Sequence, residues 1–253
     1  MESPYAYIYS VVAYWGPRAE NLDEICSRYL RMLDELAKIN PVFGNWFFLG
    51  RERATLLELL SRDEIVTLIE NGVCRGDDGA PAPKRGYMFG AANGPLEAPG
   101  HDPRHISISV HAGNASAANY FINTVRIRTD VFNDSNATFI NLDVFKATIL
   151  AVAQAWGVTW CSAFPWGLLD FRRQRNPPRP SFDLAWICYV SPRFAPMVTP
   201  PRSGIVERAP DGGLVMIATE QRFDFGNPAH LAAAREIEAS LAAVNALPWP
   251  LDR

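Results

Sequence analysis

The chain is poor in the groups that usually announce chemistry. Its 253 residues include four cysteines, Cys26, Cys74, Cys161 and Cys188, with no Cys-x-x-Cys among them. Neither a dithiol redox pair nor a zinc knuckle is therefore written in it. Three of the four lie in apolar runs and read as small core residues of a protein kept in a reducing compartment. No run reaches the ~18 apolar residues that a membrane-crossing helix needs, and Met1-Glu2-Ser3-Pro4 carries no basic leader. The expected location is the cytoplasm, with no membrane contact. Three Asn-x-Ser/Thr triplets, at Asn114, Asn133 and Asn136, then read as loop composition rather than glycosylation sites.

Neither sign of charge dominates. A net charge of -3 excludes a generally basic nucleic-acid binder, although it leaves room for a local patch. Lysine is nearly absent, with only Lys38, Lys84 and Lys146 among 24 basic residues. Codon bias in a GC-rich genome is the simplest account of that ratio, although arginine is also the better residue for forked contacts to carboxylates.

Histidine offers no metal site. His101, His105 and His111 lie close in sequence, but Pro103 breaks any helix that would align the first two. On a strand, His105 and His111 stand about 20 Å apart at ~3.3 Å per residue. They are expected to face solvent. The Gly-x-Ser-x-Gly elbow, the phosphate-binding Gly-x-x-x-x-Gly-Lys-Ser/Thr, Gly-x-Gly-x-x-Gly, His-Glu-x-x-His and a Glu-x-Lys that could complete a nuclease site are all missing. The adjacent acids Asp23-Glu24 and Asp77-Asp78 point apart on a helix and are common in loops. The residues imply neither an enzyme nor a cofactor. An unrecognised active site stays open as an alternative.

A core is amply present, with 48% hydrophobic residues. Tyr5 to Trp15 is apolar or aromatic on both sides of an extended chain, which predicts a strand in mid-sheet, covered on both faces. Asn21 with Glu24 three residues on predicts a capped helix, with Leu22, Ile25, Cys26, Tyr29, Leu33 and Leu36 on its inner face, stopped by Pro41. Trp46 to Gly50 reads as a short buried strand or aromatic plug. Arg51 to Leu60 reads as helical, and Ser61 with Glu64 as the capping box of another helix ending near Asn71-Gly72.

Gly76 to Arg85 reads as a flexible loop, followed by a strand at Tyr87 to Ala92. Ile106, Ile108 and Val110 alternate with His105, Ser107, Ser109 and His111, the pattern of a half-exposed strand. Asn119 to Thr129 is its expected hairpin partner across Gly113-Asn114, with a phase shift that predicts a bulge near Asn123-Thr124. Asn141 caps a largely buried helix ended by Gly157, and Val158 to Trp166 returns as an extended segment. Phe182 to Val190 alternates as a strand. Pro192 to Pro201 connects it to a hairpin across Pro210-Asp211-Gly212-Gly213, and Asn227-Pro228 opens the last helix.

Strands and helices do not alternate strictly, so the expected class is α+β, a mostly antiparallel β-sheet with helices packed on it. No linker divides the chain, and residues 1–253 are expected to form a single domain. The densest charge cluster runs from Asp170 to Arg179 and holds Arg172, Arg173 and Arg175 beside Trp166 and Phe171. It reads as a solvated loop between two strands. Its arginines could equally contact phosphates or the carboxylates of another protein.

Three stretches together resemble the Imm52 family of bacterial immunity proteins. They are Tyr14-Trp15-Gly16-Pro17-Arg18 at the end of the first strand, the following helix from Leu30 to Pro41 with Trp46, and Pro200-Pro201 leading to Gly213 to Thr219-Glu220 and Phe223-Asp224. Trp15, Gly16, Pro17, Arg18 and Trp46 are packing and turn residues, and structural roles are expected of them. The resemblance covers about Tyr5 to Leu241. It implies a protein partner rather than a substrate: a cognate nuclease toxin of the restriction-endonuclease-like Tox-REase-5 type, in some cases delivered by type VI secretion, bound and neutralised in the cytoplasm. A monomer or a homodimer would serve, and no direct contact with nucleic acid is expected.

Two inhibitory surfaces follow from the residues. The acids Asp23, Glu24, Asp34 and Glu35 on the first helix could fill a toxin's basic DNA groove. Alternatively, Arg172, Arg173 and Arg175, with Trp166 as anchor, could pair with the metal-binding carboxylates of a nuclease. The competing function is a nucleic-acid binder using the loop from Arg172 to Arg179.

Overall fold

A computed structural model of the chain describes residues 4–49, 54–93, 104–116, 122–168 and 184–247. The mid-sheet strand expected from Tyr5 is real but begins later. Pro4–Tyr7 forms a 3-10 turn, whose first position suits the fixed φ of proline, and β1 runs over Ile8–Trp15. Nearly all of its residues are buried. Nine further strands are β2 (Phe47–Leu49), β3 (Ala54–Leu56), β4 (Arg85–Ala92), β5 (Ile106–Asn114), β6 (Asn123–Val131), β7 (Trp160–Pro165), β8 (Ile187–Val190), β9 (Ile205–Arg208) and β10 (Leu214–Ile217). They form one sheet in the order β3-β2-β4-β5-β6-β1-β7-β8-β10-β9. Its pairs are antiparallel, and β1 lies between β6 and β7, so its apolar residues need cover on both faces and get it. The class is α+β, as expected.

The helices start where their caps say. In α1 (Leu22–Ile39) the Asn21 side chain accepts from the Glu24 amide while the Glu24 carboxylate accepts from the Asn21 amide, a complete capping box. Ser61 and Glu64 repeat it at the start of α2 (Arg62–Glu70). Asn141 caps α3 (Leu142–Trp156), and Gly157 ends it at φ 58°, a left-handed conformation in which glycine is unstrained. Asn227 and Pro228 open α4 (Pro228–Ser240).

The helices form a layer against the sheet. α3 packs on β1, β7 and β8, α1 packs on α3 and α2, α2 reaches β4, and α4 contacts β10. Strand alternation puts Tyr9, Val11, Ala13 and Trp15 on the face that meets α3. Tyr9 packs edge-on against Phe145 of α3, and Trp15 stacks on Trp156 with ring centres 5.1 Å apart. All four cysteines are buried and free, in keeping with the core role read from their surroundings.

Several local expectations are corrected. The helix expected over Arg51 to Leu60 does not form in its described part, 54–60: residues 54–56 pair with β2 as β3, and Leu57–Leu59 makes a 3-10 turn. Pairing of β5 with β6 is regular from Ile106–Thr129 to His111–Thr124, so no bulge breaks that ladder near Asn123-Thr124. The irregularity sits at the other end of β6, where its pairing with β1 slips between Ile8 and Ser10. The slip places the Thr129 hydroxyl, rather than a ladder carbonyl, as acceptor for the Tyr9 amide at 3.1 Å. β8 begins only at Ile187 and all four of its residues are buried, so the alternation read there does not mark an exposed face.

The loop after α2, read as flexible, is tied down by Gly76 accepting from Gly79, by the Ala80 carbonyl accepting from Gly76, and by Arg85 reaching the Arg75 carbonyl and Asp77. Among the described residues no helix is long and apolar enough to cross a membrane.

Candidate protein-binding surface

The end of β1 is the first place to test, because so many distinctive residues meet there. Arg18 donates from Nη2 to the Trp156 carbonyl at 2.8 Å, and Arg28 donates from Nη1 to the Ala155 carbonyl at 3.1 Å. Both carbonyls belong to the last turn of α3, which leaves them without intrahelical donors, and a cation is favoured at that negative end. Glu20 lies between the two arginines, its side chain only 3% exposed, with Oε1 3.0 Å from Arg18 and 2.8 Å from Arg28. These are ion-pair contacts rather than aligned hydrogen bonds.

The Arg18 guanidinium also lies over the Trp15 ring, 5.5 Å from its centre. The Gly16 carbonyl accepts from Asn123 at 2.7 Å, and the Arg18 amide donates to the Asn114 carbonyl at 2.8 Å. This corner clamps β1, the β5–β6 end and α3 together. Trp46 is likewise buried, and its carbonyl accepts from Leu57 at 2.8 Å.

A second cluster looks chemical but is not. His111 is buried, contrary to the solvent-facing position expected of it, and its Nε2 lies 2.7 Å from the Arg85 carbonyl oxygen and 3.6 Å from Cys74 Sγ. A carbonyl can only accept, so Nε2 carries the proton and cannot receive one from the thiol. Burial pushes the Cys74 thiol up, with Arg85 offsetting only part of it, which is the reverse of an activated nucleophile. His111 pairs with Met88 of β4 on one side and Thr124 of β6 on the other, and Cys74 is brought to its ring where the Cys74 amide donates a hydrogen bond to the Gly86 carbonyl. Among the described residues no three His, Cys, Asp or Glu side chains are grouped to hold a metal ion. His101 lies outside the described residues.

The acids expected to form a binding face on α1 are mostly committed to the fold. Glu24 completes the capping box, Asp23 lies 3.6 Å from Arg62, and Glu35 accepts from Lys38 at 2.7 Å. Asp34 is exposed and makes no ion pair among the described residues. Arg28, Arg31 and Lys38 interleave with these acids on the same helix, so its field is weak. Arg172, Arg173 and Arg175 lie outside the described residues.

Trp166, just past β7, is half-buried. Its indole N–H donates to Ser10 Oγ at 2.7 Å, and its amide donates to the Ile8 carbonyl at 2.8 Å. Above the ring, 5.4 Å from its centre, lies the guanidinium of Arg128. Trp166 therefore marks the sheet face opposite α3, and that face carries residues that sequence reasoning passed over. Register puts Arg126 opposite Ser109 and Val12, and Arg128 opposite Ser107 and Ser10. Arg126, Arg128 and Ser109 are exposed, and Met88 on β4 is 61% exposed. The alternation Val125-Arg126-Ile127-Arg128 is visible in the sequence, where its apolar half signals packing and its charged half an outward face.

The chain matches the family described as Immunity protein 52 over residues 7–248. No curated protein matches it. Among solved structures it is similar to the Pseudomonas aeruginosa T6SS protein PA0821, at 12% sequence identity and a TM-score of 0.51, over 91% of this chain and 73% of that one. At so low an identity the likeness is one of fold.

Proposed function

The chain belongs to the Immunity protein 52 family, and from that membership we propose that it binds and neutralises a cognate nuclease toxin in the cytoplasm. The family match across residues 7–248 is the observation that carries this reading. The chemistry supports it. The Nε2–H of His111 is directed at the Arg85 carbonyl and so cannot take a proton from Cys74, and the Arg18–Glu20–Arg28 cluster holds the end of helix α3. What remains for function is surface.

Inhibition needs a face that blocks either the toxin's DNA groove or its catalytic carboxylates. On α1 the acids are largely spent on capping and local pairs, which leaves Asp34 as the acid best placed to meet a partner. The arginines Arg172, Arg173 and Arg175 keep their proposed role as partners for toxin carboxylates, with Trp166 as the proposed anchor.

The test is co-expression with the product of the adjacent gene, purification, and a plasmid-cleavage assay. A stable complex in which stoichiometric immunity protein abolishes cleavage supports the reading. A neighbour without nuclease activity, or two proteins that elute apart with cleavage unaffected, overturns it.

A further inference from the structure

Arg126 and Arg128, on the sheet face opposite α3, have no acidic partner across the strands. Arg126 and Arg128 point the same way from β6, two residues and so about 7 Å apart. Both are exposed, and neither makes an ion pair or a hydrogen bond among the described residues. Their cross-strand neighbours are Ser109 and Val12 for Arg126, and Ser107 and Ser10 for Arg128. No carboxylate stands opposite either. Two like charges this close on one strand work against the fold, since cross-strand positions are where a compensating acid would sit. Arg128 is also held: its guanidinium lies over Trp166, whose indole is fixed by its bond to Ser10. A stacked guanidinium keeps its N–H fork open at the edge, and less rotamer freedom is lost when an acid pairs with it. Exposed Met88 adds an adaptable apolar contact on the same face.

We propose that the β4–β6 sheet face, through Arg126, Arg128 and Met88, docks an acidic protein surface whose carboxylates pair with the two guanidinium forks. This rests on the reading of the chain as an immunity protein, and the partner is then the nuclease toxin, whose metal-binding or flanking carboxylates supply the acid. Charge complementarity favours protein over nucleic acid. A chain of net charge -3 with two free arginines here cannot match the run of phosphate contacts on which nucleic-acid affinity depends. Two preorganised forks do suit a pair of carboxylates.

The test uses full-length protein and the nuclease domain encoded beside it, with affinity measured by calorimetry. Arg126→Glu/Arg128→Glu is expected to weaken binding about 100-fold or more at unchanged melting temperature, and Arg126→Lys/Arg128→Lys about 10-fold, because charge survives but the fork does not. Wild-type affinity in the charge-reversed protein overturns the surface while leaving the immunity reading intact. Failure of the wild-type protein to bind the nuclease domain overturns both. A 30-base-pair duplex that binds the wild type at low salt but not the charge-reversed protein, with toxin binding unchanged, overturns it in favour of nucleic acid.

Discussion

Two pairs of arginines illustrate opposite uses of one residue type. Arg18 and Arg28 share the buried carboxylate of Glu20 and donate to the last carbonyls of α3, so their charge is consumed in joining strand to helix. Arg126 and Arg128 stand on a strand face beside serines, with an indole near one of them and no acid as a cross-strand neighbour of either. The first pair contributes stability and little surface. The second contributes surface and nothing that the fold requires. An arginine therefore reads as functional only where its neighbours fail to use its charge.

The contrast can be broken or sharpened by substitution. Trp15→Ala removes a buried indole stacked on Trp156 and is expected to cost about 3–5 kcal/mol in chemical denaturation, lowering toxin binding only as far as the folded fraction falls. Lost binding at an unchanged melting temperature would instead make the β1 end an interface. Arg18→Ala should follow at about 2 kcal/mol, because a charged donor to the Trp156 carbonyl and one of the two cations beside buried Glu20 are lost, while Arg28 still faces Glu20.

The core beneath β1 also predicts a pH response. Burial raises the Tyr9 phenol to about 12, with Arg222 pulling partly the other way. Burial also raises Tyr29, and raises Tyr189 together with its bond to Asp211. A raised folded pKa means that the unfolded chain releases its proton first. Stability is therefore intact below pH 10 and falls as pH climbs from 10 towards 12, by about 1.4 kcal/mol per pH unit for each such tyrosine. Denaturation midpoints at pH 9, 10 and 11 measure it, and Tyr9→Phe should flatten the slope. Smallest of all, Arg126→Ala should shift stability by no more than about 0.5 kcal/mol. A loss as large as that of Arg18→Ala would show that the two pairs are not different in kind.

Much of the fold was legible because its signals are short-range. Asn21 with Glu24, Ser61 with Glu64, Asn141, Gly157 and Asn227-Pro228 each act within one helical turn, and each helix boundary is set where they stand. The hairpin across Pro210 to Gly213 is equally local, with the Ala209 and Gly213 backbones paired at 2.9 Å. Where reading failed, the deciding contact came from far along the chain. Residues 54–56 became a strand because β2 was there to pair with, and His111 became buried where Cys74 and the Arg85 carbonyl meet its ring. β8 lost its alternation because the sheet is covered on both sides at that point.

By itself the sequence determined the class of fold, the helix starts and ends, the central place of β1 and the family resemblance, all of which rest on composition, spacing and neighbours within a few residues. Only the tertiary structure decided what each charge is for. Nothing in Trp15-Gly16-Pro17-Arg18 says that Arg18 will meet a carbonyl 138 residues away, and nothing in Arg126-Ile127-Arg128 says that serines and a valine, rather than acids, will stand across the strands from them. Pairing of charges is settled by which strands and helices come together, since Coulomb attraction acts through space and not along the chain.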